Sequence, residues 1–322
     1  MARLKPDRLG RTYTTPGAVR SVRHQGRHDQ VEGVNLTEPS RQRTPVLYQA
    51  GTSDRGLRFA ARHAEAVFLS GNNRDIVRES VLLLRRAAVE AGRRSDDIKI
   101  ILGVTVVPGR TEAGARDEDA DYRRHASPEA GLAHCAASTG IDFSCFDLDE
   151  PITYGRTESI QSAVATARRL GWTRCRLLEQ YALGGRYPAI VGDAVQVADV
   201  LQAWADDTGV DGFNLTRTVV PESFEDFIAS VVPGLQQRGL HKTAYTEGSL
   251  RHKLFGQPDR LPARHAAAAC RDLAWAPLRA APRQPARQPG RIDPGLADPA
   301  HRRVRRRACR RPARRRGRLR AR

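Results

Sequence analysis

The segment Gln49-Ala-Gly-Thr-Ser-Asp-Arg-Gly56 is the part of this sequence best equipped for chemistry. It sits where an apolar run gives way to a helical pattern. Gly51 allows a tight backbone turn. Thr52 and Ser53 then bring hydroxyls and amides to a place where the first turn of a helix leaves donors unpaired, which is how proteins hold phosphate. The same residues also suit a plainer role, with Ser53 as the N-cap of its own helix. On residue types alone both readings stand. His63, beside Arg62, reads as a surface or packing histidine. His24, His28, His125 and His134 lack metal-ligand spacing with any carboxylate or cysteine, so no metal site is expected. No combination of residues identifies a catalytic acid, base or nucleophile.

The elements around this turn alternate. Thr44–Gly51 and Ala66–Leu69 are short apolar runs stopping at glycine or serine, and Ile98–Val107 is a β-branched run closed by Pro108-Gly109. Helical stripes lie between and after them: Leu57, Ala60, Ala61 and Ala64; Ile76, Val77, Val81, Leu84 and Ala88; Val197, Leu201 and Trp204; and Phe224, Phe227, Ile228, Val231 and Leu235. A last short strand is expected at 211–215. Strands near 45–50, 66–70, 98–107 and 211–215, separated by helices, describe an α/β protein with a parallel sheet of four β/α units. Residues 111–190 are less regular and read as an insertion between the third and fourth strands. Barrel and open sheet are not distinguished by periodicity, because buried parallel strands look alike in both.

Composition narrows the classes. The formal charge of +18 lies wholly in residues 251–322, while residues 1–250 carry 32 basic and 32 acidic side chains. A neutral body has no global reason to seek nucleic acid or anionic lipid. The Arg/Pro/Ala-rich stretch 263–322 could attract phosphate backbones non-specifically, yet only Trp275 could stack a base and no nucleic-acid motif is present. It is expected to be a disordered tail. No apolar run approaches a membrane span and no secretory h-region follows Met1. Five dispersed cysteines with no CxxC pair argue against a disulfide framework or zinc module and fit a reducing cytoplasm.

The run Thr44–Phe68, with its Gln49-Ala-Gly-Thr-Ser-Asp-Arg-Gly56 core, resembles flavin-dependent monooxygenases of the nitrilotriacetate monooxygenase component A type, a branch of the bacterial-luciferase-like superfamily. Similar motifs follow in the family's order: Leu102–Glu112, Gly140–Ser144 with Asp147–Pro151, Ile160–Ala163, Val191-Gly192 with Gln196–Asp199, Val210–Leu215, and Phe227 with Val231–Gly239. Together they cover about 11–262. The resemblance implies a (β/α)8 TIM barrel with its site at the C-terminal strand ends. It implies reduced FMN from a separate NAD(P)H-dependent flavin reductase, O2, and a small organic substrate. It assigns Gly51, Thr52 and Ser53 to the loop after the family's fifth strand, which contacts the FMN phosphate.

The family's first four β/α units find no match before residue 11. The expectation is therefore a partial barrel of about the last four units: a leader at 1–10, barrel residues at 11–262 with the insertion at about 111–190, and the tail at 263–322. Such an arc would leave sheet edges exposed and open to oligomerisation. The alternatives are an inactive remnant of such an enzyme or, with less in its favour, nucleic-acid binding through the basic tail.

Overall fold

The computed structural model describes residues 9–14, 21–34, 37, 40–51, 53–153, 166–183 and 185–268. Thr52 and most of the 263–322 stretch lie outside the described residues. The chain divides into two compact units. One holds 1–126 and 183–271, and the other holds 127–182 and 272–322.

The first unit begins with an antiparallel hairpin, β1 (Val22–Gln25) against β2 (Gln30–Gly33). Its core is a sheet of β3 (Tyr48–Ala50), β4 (Ala66–Leu69), β5 (Lys99–Gly109), β6 (Ala189–Asp193) and β7 (Gly212–Thr216), with every pairing parallel. Helices intervene: α1 (Asp54–His63), α2 (Arg74–Glu90), α3 (Glu112–His125) and α6 (Ala194–Thr208). The second unit supplies α4 (Pro128–Thr139) and α5 (Arg174–Ala182).

The long strand β5 organises the sheet. The Lys99 amide donates to the Glu65 carbonyl at 2.8 Å and the Thr105 amide to the Pro188 carbonyl at 2.9 Å. Odd-numbered residues of β5 thus serve one edge, with β4 along the first half and β6 along the second. The Asp211 amide donates to the Ile100 carbonyl at 2.8 Å, so the even-numbered edge belongs to β7. The expected four strands therefore run side by side in sequence order, β3-β4-β5-β7. The fifth, β6, lies above β4 and was not anticipated. Its sequence, Ala-Ile-Val-Gly-Asp, is too short and too poor in large apolar residues to stand out from the irregular stretch before it.

Alternation gives the sheet two unlike faces. Val67, Leu69, Ile100, Leu102, Val104 and Val106 are buried against Leu57, Val77, Val81, Leu84, Val197 and Leu201 of the covering helices. Each such side chain contributes about 1.5–3 kcal/mol relative to exposure. The helix expected over 222–238 is interrupted. After α7 (Glu222–Asp226), Phe227–Val231 takes the wider i→i+5 turn before α8 (Val232–Gln237) resumes. Pro233 lacks the amide that a regular α-helix would use there.

The second unit has its own small core of Leu132, Cys135, Ile141, Phe143, Ile152 and Leu177. Gly131 lets α4 approach α5, since a Cβ there would stand 2.1 Å from the Tyr181 carbonyl oxygen. Cys135 and Cys175 are free thiols.

A polar network ties the N-terminal ends of the strands together. Arg251, on α9 (Leu250–Phe255), is 1% exposed and forms a two-pronged pair with Glu65 at 2.6 and 2.9 Å. Its remaining protons go to the carbonyls of Thr44, Pro45 and Asp259. Arg93 donates to the carbonyls of Ala61, Ala64 and Asp97. Arg264 grips Asp97 at 2.6 and 2.5 Å. Buried His265 meets the His63 carbonyl through Nε2 at 3.1 Å and accepts the Ala267 amide at Nδ1. Just past the expected boundary at 262/263, Arg264, His265 and Ala268 pack onto the first unit, because one guanidinium and one imidazole find partners that composition does not reveal.

Candidate functional site at the C-terminal strand ends

β3 leads directly into the turn singled out from sequence. Gly51 has φ +122°, a conformation that favours glycine, and it is exposed. Ser53 is the N-cap of α1, and its Oγ accepts the Gly56 amide at 3.2 Å. The plainer reading of Ser53 is thus present in the structure. It does not use up the hydroxyl, whose O–H still donates. A Cβ at Gly56 would crowd the turn, coming within 3.1 Å of the Gly51 carbonyl oxygen and 3.2 Å of Ser53 Oγ. Ser53, Asp54 and Arg55 are exposed, so the first-turn amides of α1 open outwards. Thr52, the third residue expected here, lies outside the described residues.

Next to this turn is the sheet face opposite Val67, Leu69, Ile100 and Leu102. Tyr48 pairs with Ala66 and Ala50 with Phe68. Tyr48 and Phe68 therefore share a face, and their rings stack at 5.3 Å. Register carries this face across Ile101, Gly103 and Thr105 to Asn214 and Thr216. The Thr105 and Thr216 hydroxyls meet at 2.6 Å, and Thr216 Oγ1 also donates to the Val104 carbonyl. The Tyr187 ring lies against Gly103, where a Cβ would fall 2.2 Å from it.

Sequence reasoning missed Tyr187 and the threonine pair. A signal for the first was available: a glycine inside a β-branched strand marks a close approach by another group. Nothing local could announce the second, because its partners are 111 residues apart.

Two buried polar atoms at this end have no hydrogen-bond partner among the described residues, Gln49 Oε1 and Thr218 Oγ1. Gln49 Nε2 turns to the Ala50 carbonyl at 2.8 Å, beside the Gly51 turn. Leaving such a group unmatched costs about 1–3 kcal/mol. His63 closes α1 half-buried, its ring tilted against Phe59 at 4.8 Å, and is not part of the site. Among the described residues no group of three or more histidine, cysteine or acidic side chains could hold a metal ion, and no helix is long and apolar enough to cross a membrane.

Comparison with known proteins adds a lineage to this geometry. The sequence profile described as luciferase-like monooxygenase matches residues 9–212. The dimethyl-sulfide monooxygenase of Hyphomicrobium sulfonivorans is 38% identical over 84% of this chain and 57% of its own length. Its crystal structure superposes with a TM-score of 0.73. The long-chain alkane monooxygenase of Geobacillus thermodenitrificans is 38% identical over 81% of this chain and 56% of its own. A riboflavin lyase, solved with modified FMN and riboflavin, is 34% identical with a TM-score of 0.74, covering 83% of this chain and 60% of the other. The chain spans a little over half the length of the curated relatives it matches.

Proposed function

This chain belongs to the luciferase-like monooxygenase family, and from that membership we propose that it carries the phosphate-holding part of an FMN-dependent monooxygenase site. The observation that carries the proposal is the placement of Gly51 and Ser53, both exposed where β3 passes into the N-terminus of α1, beside the sheet face that carries Tyr48 and Phe68. The residues present fit a phosphate. Glycine geometry at 51 lets the backbone approach, the Ser53 hydroxyl keeps a proton to donate, and the exposed amides of Asp54 and Arg55 complete the donors. Thr52 would add a second hydroxyl.

Bound reduced FMN would supply the electrons and the O2-reactive centre. The chain's own residues would fix the phosphate and, through Tyr48, Phe68 and Tyr187, offer an aromatic surface that keeps water from the neighbouring sheet face. A separate NAD(P)H-dependent flavin reductase would deliver the cofactor in the cytoplasm. The substrate is read as a small organic molecule. Affiliation with the nitrilotriacetate type specifically is part of the same proposal, as is the sheet's standing as part of a (β/α)8 barrel.

An isolated phosphate contact gives affinity near the millimolar scale, about −4 kcal/mol. Equilibrium fluorescence titration with FMN and with riboflavin, which lacks the phosphate, tests this. FMN should bind detectably and riboflavin about tenfold or more weakly. Equal binding of the two would refute a phosphate site at Gly51–Ser53.

A further inference from the structure

The sheet's outer strands leave work undone. Among the described residues β3 pairs only with β4, and β7 only with β5. All four strands of the β3-β4-β5-β7 run point the same way. Open edges invite further strands. We propose that two copies of this chain associate about a two-fold axis. In this dimer β7 of each copy lies parallel beside β3 of the other, α1 of each packs along the α7–α8 stretch of the other, and eight strands close into one ring.

The helix surfaces match this arrangement. A right-handed crossover places the helix after each strand over the gap to the next strand. The stretch after β7 would therefore cover the seam and meet the helix that follows the partner's first strand, which is α1. The exposed stripe of α1 is Arg55, Arg58, Phe59 and Arg62. The exposed stripe after β7 is Glu222, Glu225 and Ile228. Phe59 is 56% exposed and Ile228 62%. None of these arginines or glutamates forms an ion pair among the described residues.

The acidic side also carries an uncompensated surplus. Burial, and then the like charges of Asp226 and Glu222, push the Glu118 carboxyl above its ordinary range. One surface is thus basic with an apolar centre, and the other acidic with an apolar centre. Because a single chain carries both, one rotation satisfies both seams at once, which no unlike partner is needed to do.

Light scattering on the purified full-length chain at micromolar concentration tests the proposal, independently of flavin binding. The wild type should run at twice the chain mass. Arg58→Glu with Arg62→Glu should give a monomer, and so should Glu222→Arg with Glu225→Arg. These are exposed positions that the folded unit tolerates, as circular dichroism will verify. An equimolar mixture of the two variants should restore the dimer, because both seams then face opposite charges. Asn214→Pro, at an exposed edge position of β7, should also abolish it. A monomeric wild type, a mixture that stays monomeric, or assembly only after adding the N-terminal part of a relative would each overturn the proposal.

Discussion

The two ends of the β3-β4-β5-β7 sheet are built to different rules. At the N-terminal ends, Arg251, Arg93, Arg264 and His265 spend their hydrogen bonds on Glu65, Asp97 and backbone carbonyls, and most of that network is buried. At the C-terminal ends Gly51 and Ser53 are exposed, and Gln49 Oε1 and Thr218 Oγ1 have no partner among the described residues. The contrast is not absolute, since Gln42 Oε1, before β3, is also unmatched. The difference teaches that one end of the sheet is tied down by buried ion pairs while the other keeps polar groups open, which is where the proposed phosphate contacts lie.

The largest effect should come from breaking the stabilising end. Arg251→Ala leaves Glu65 as a buried, unpaired carboxylate and should cost about 3–5 kcal/mol in urea unfolding. Replacing both partners together, as Arg251→Met with Glu65→Leu, should cost much less than the sum of the single changes. If the single change is nearly neutral, the network is not what holds this end.

A pH effect of the next size should follow from Asp97. Burial pushes its carboxyl up, but the Arg264 hydrogen bond, the Arg94 amide and the charges of Arg264 and Arg93 outweigh this and hold it at about 2. A folded pKa below the unfolded value gives stability that is present above the unfolded pKa, near 4, and lost as pH falls towards 2. The loss should be on the order of 2 kcal/mol and should vanish in Asp97→Asn. His265 acts in a different window. Burial, followed by the Arg93 charge, lowers its pKa, so the unfolded chain binds the proton first and stability should decline as pH drops below about 6.5. His265→Gln should flatten that part of the profile, as measured by melting temperature against pH.

Gly103→Ala should cost about 1–2 kcal/mol, because the added methyl strikes the Tyr187 ring. Tyr187→Ala in the same chain should relieve the clash. The smallest effect belongs to the site itself. Ser53→Ala removes the cap on α1 for about 1 kcal/mol of stability, and it should weaken FMN binding by more than it weakens the fold. A loss of stability with unchanged FMN binding would reduce Ser53 to a cap.

How much of this was legible depended on range. The strands at 66–69 and 99–109 were visible because each buries its own apolar run, those at 48–50 and 212–216 because short apolar runs lie beside glycines in the sequence, and the Gly51 turn because strand, glycine and helix start are neighbours in sequence. The stabilising network was invisible because Arg251 reaches Glu65 across 186 residues and Arg264 reaches Asp97 across 167. Arginines in a basic, alanine-rich stretch look solvated until a carboxylate comes to meet them. Strand β6 was hidden for a different reason, since it borrows the upper edge of β5 rather than advertising an edge of its own.

The most direct test sets the two ends against each other. A cavity of about 660 Å³ at the N-terminal end, lined by Arg94, Phe255, Arg260, Leu261 and Arg264, is the rival place for an anionic ligand. Amide chemical shifts followed during an FMN titration report both ends in one experiment. The account predicts shifts centred on Gly51 and Ser53–Gly56, saturating near the millimolar scale, with the Arg94 and Arg264 amides unmoved. Shifts centred on Arg94, Arg260 and Arg264, with Gly51–Gly56 silent, would contradict it.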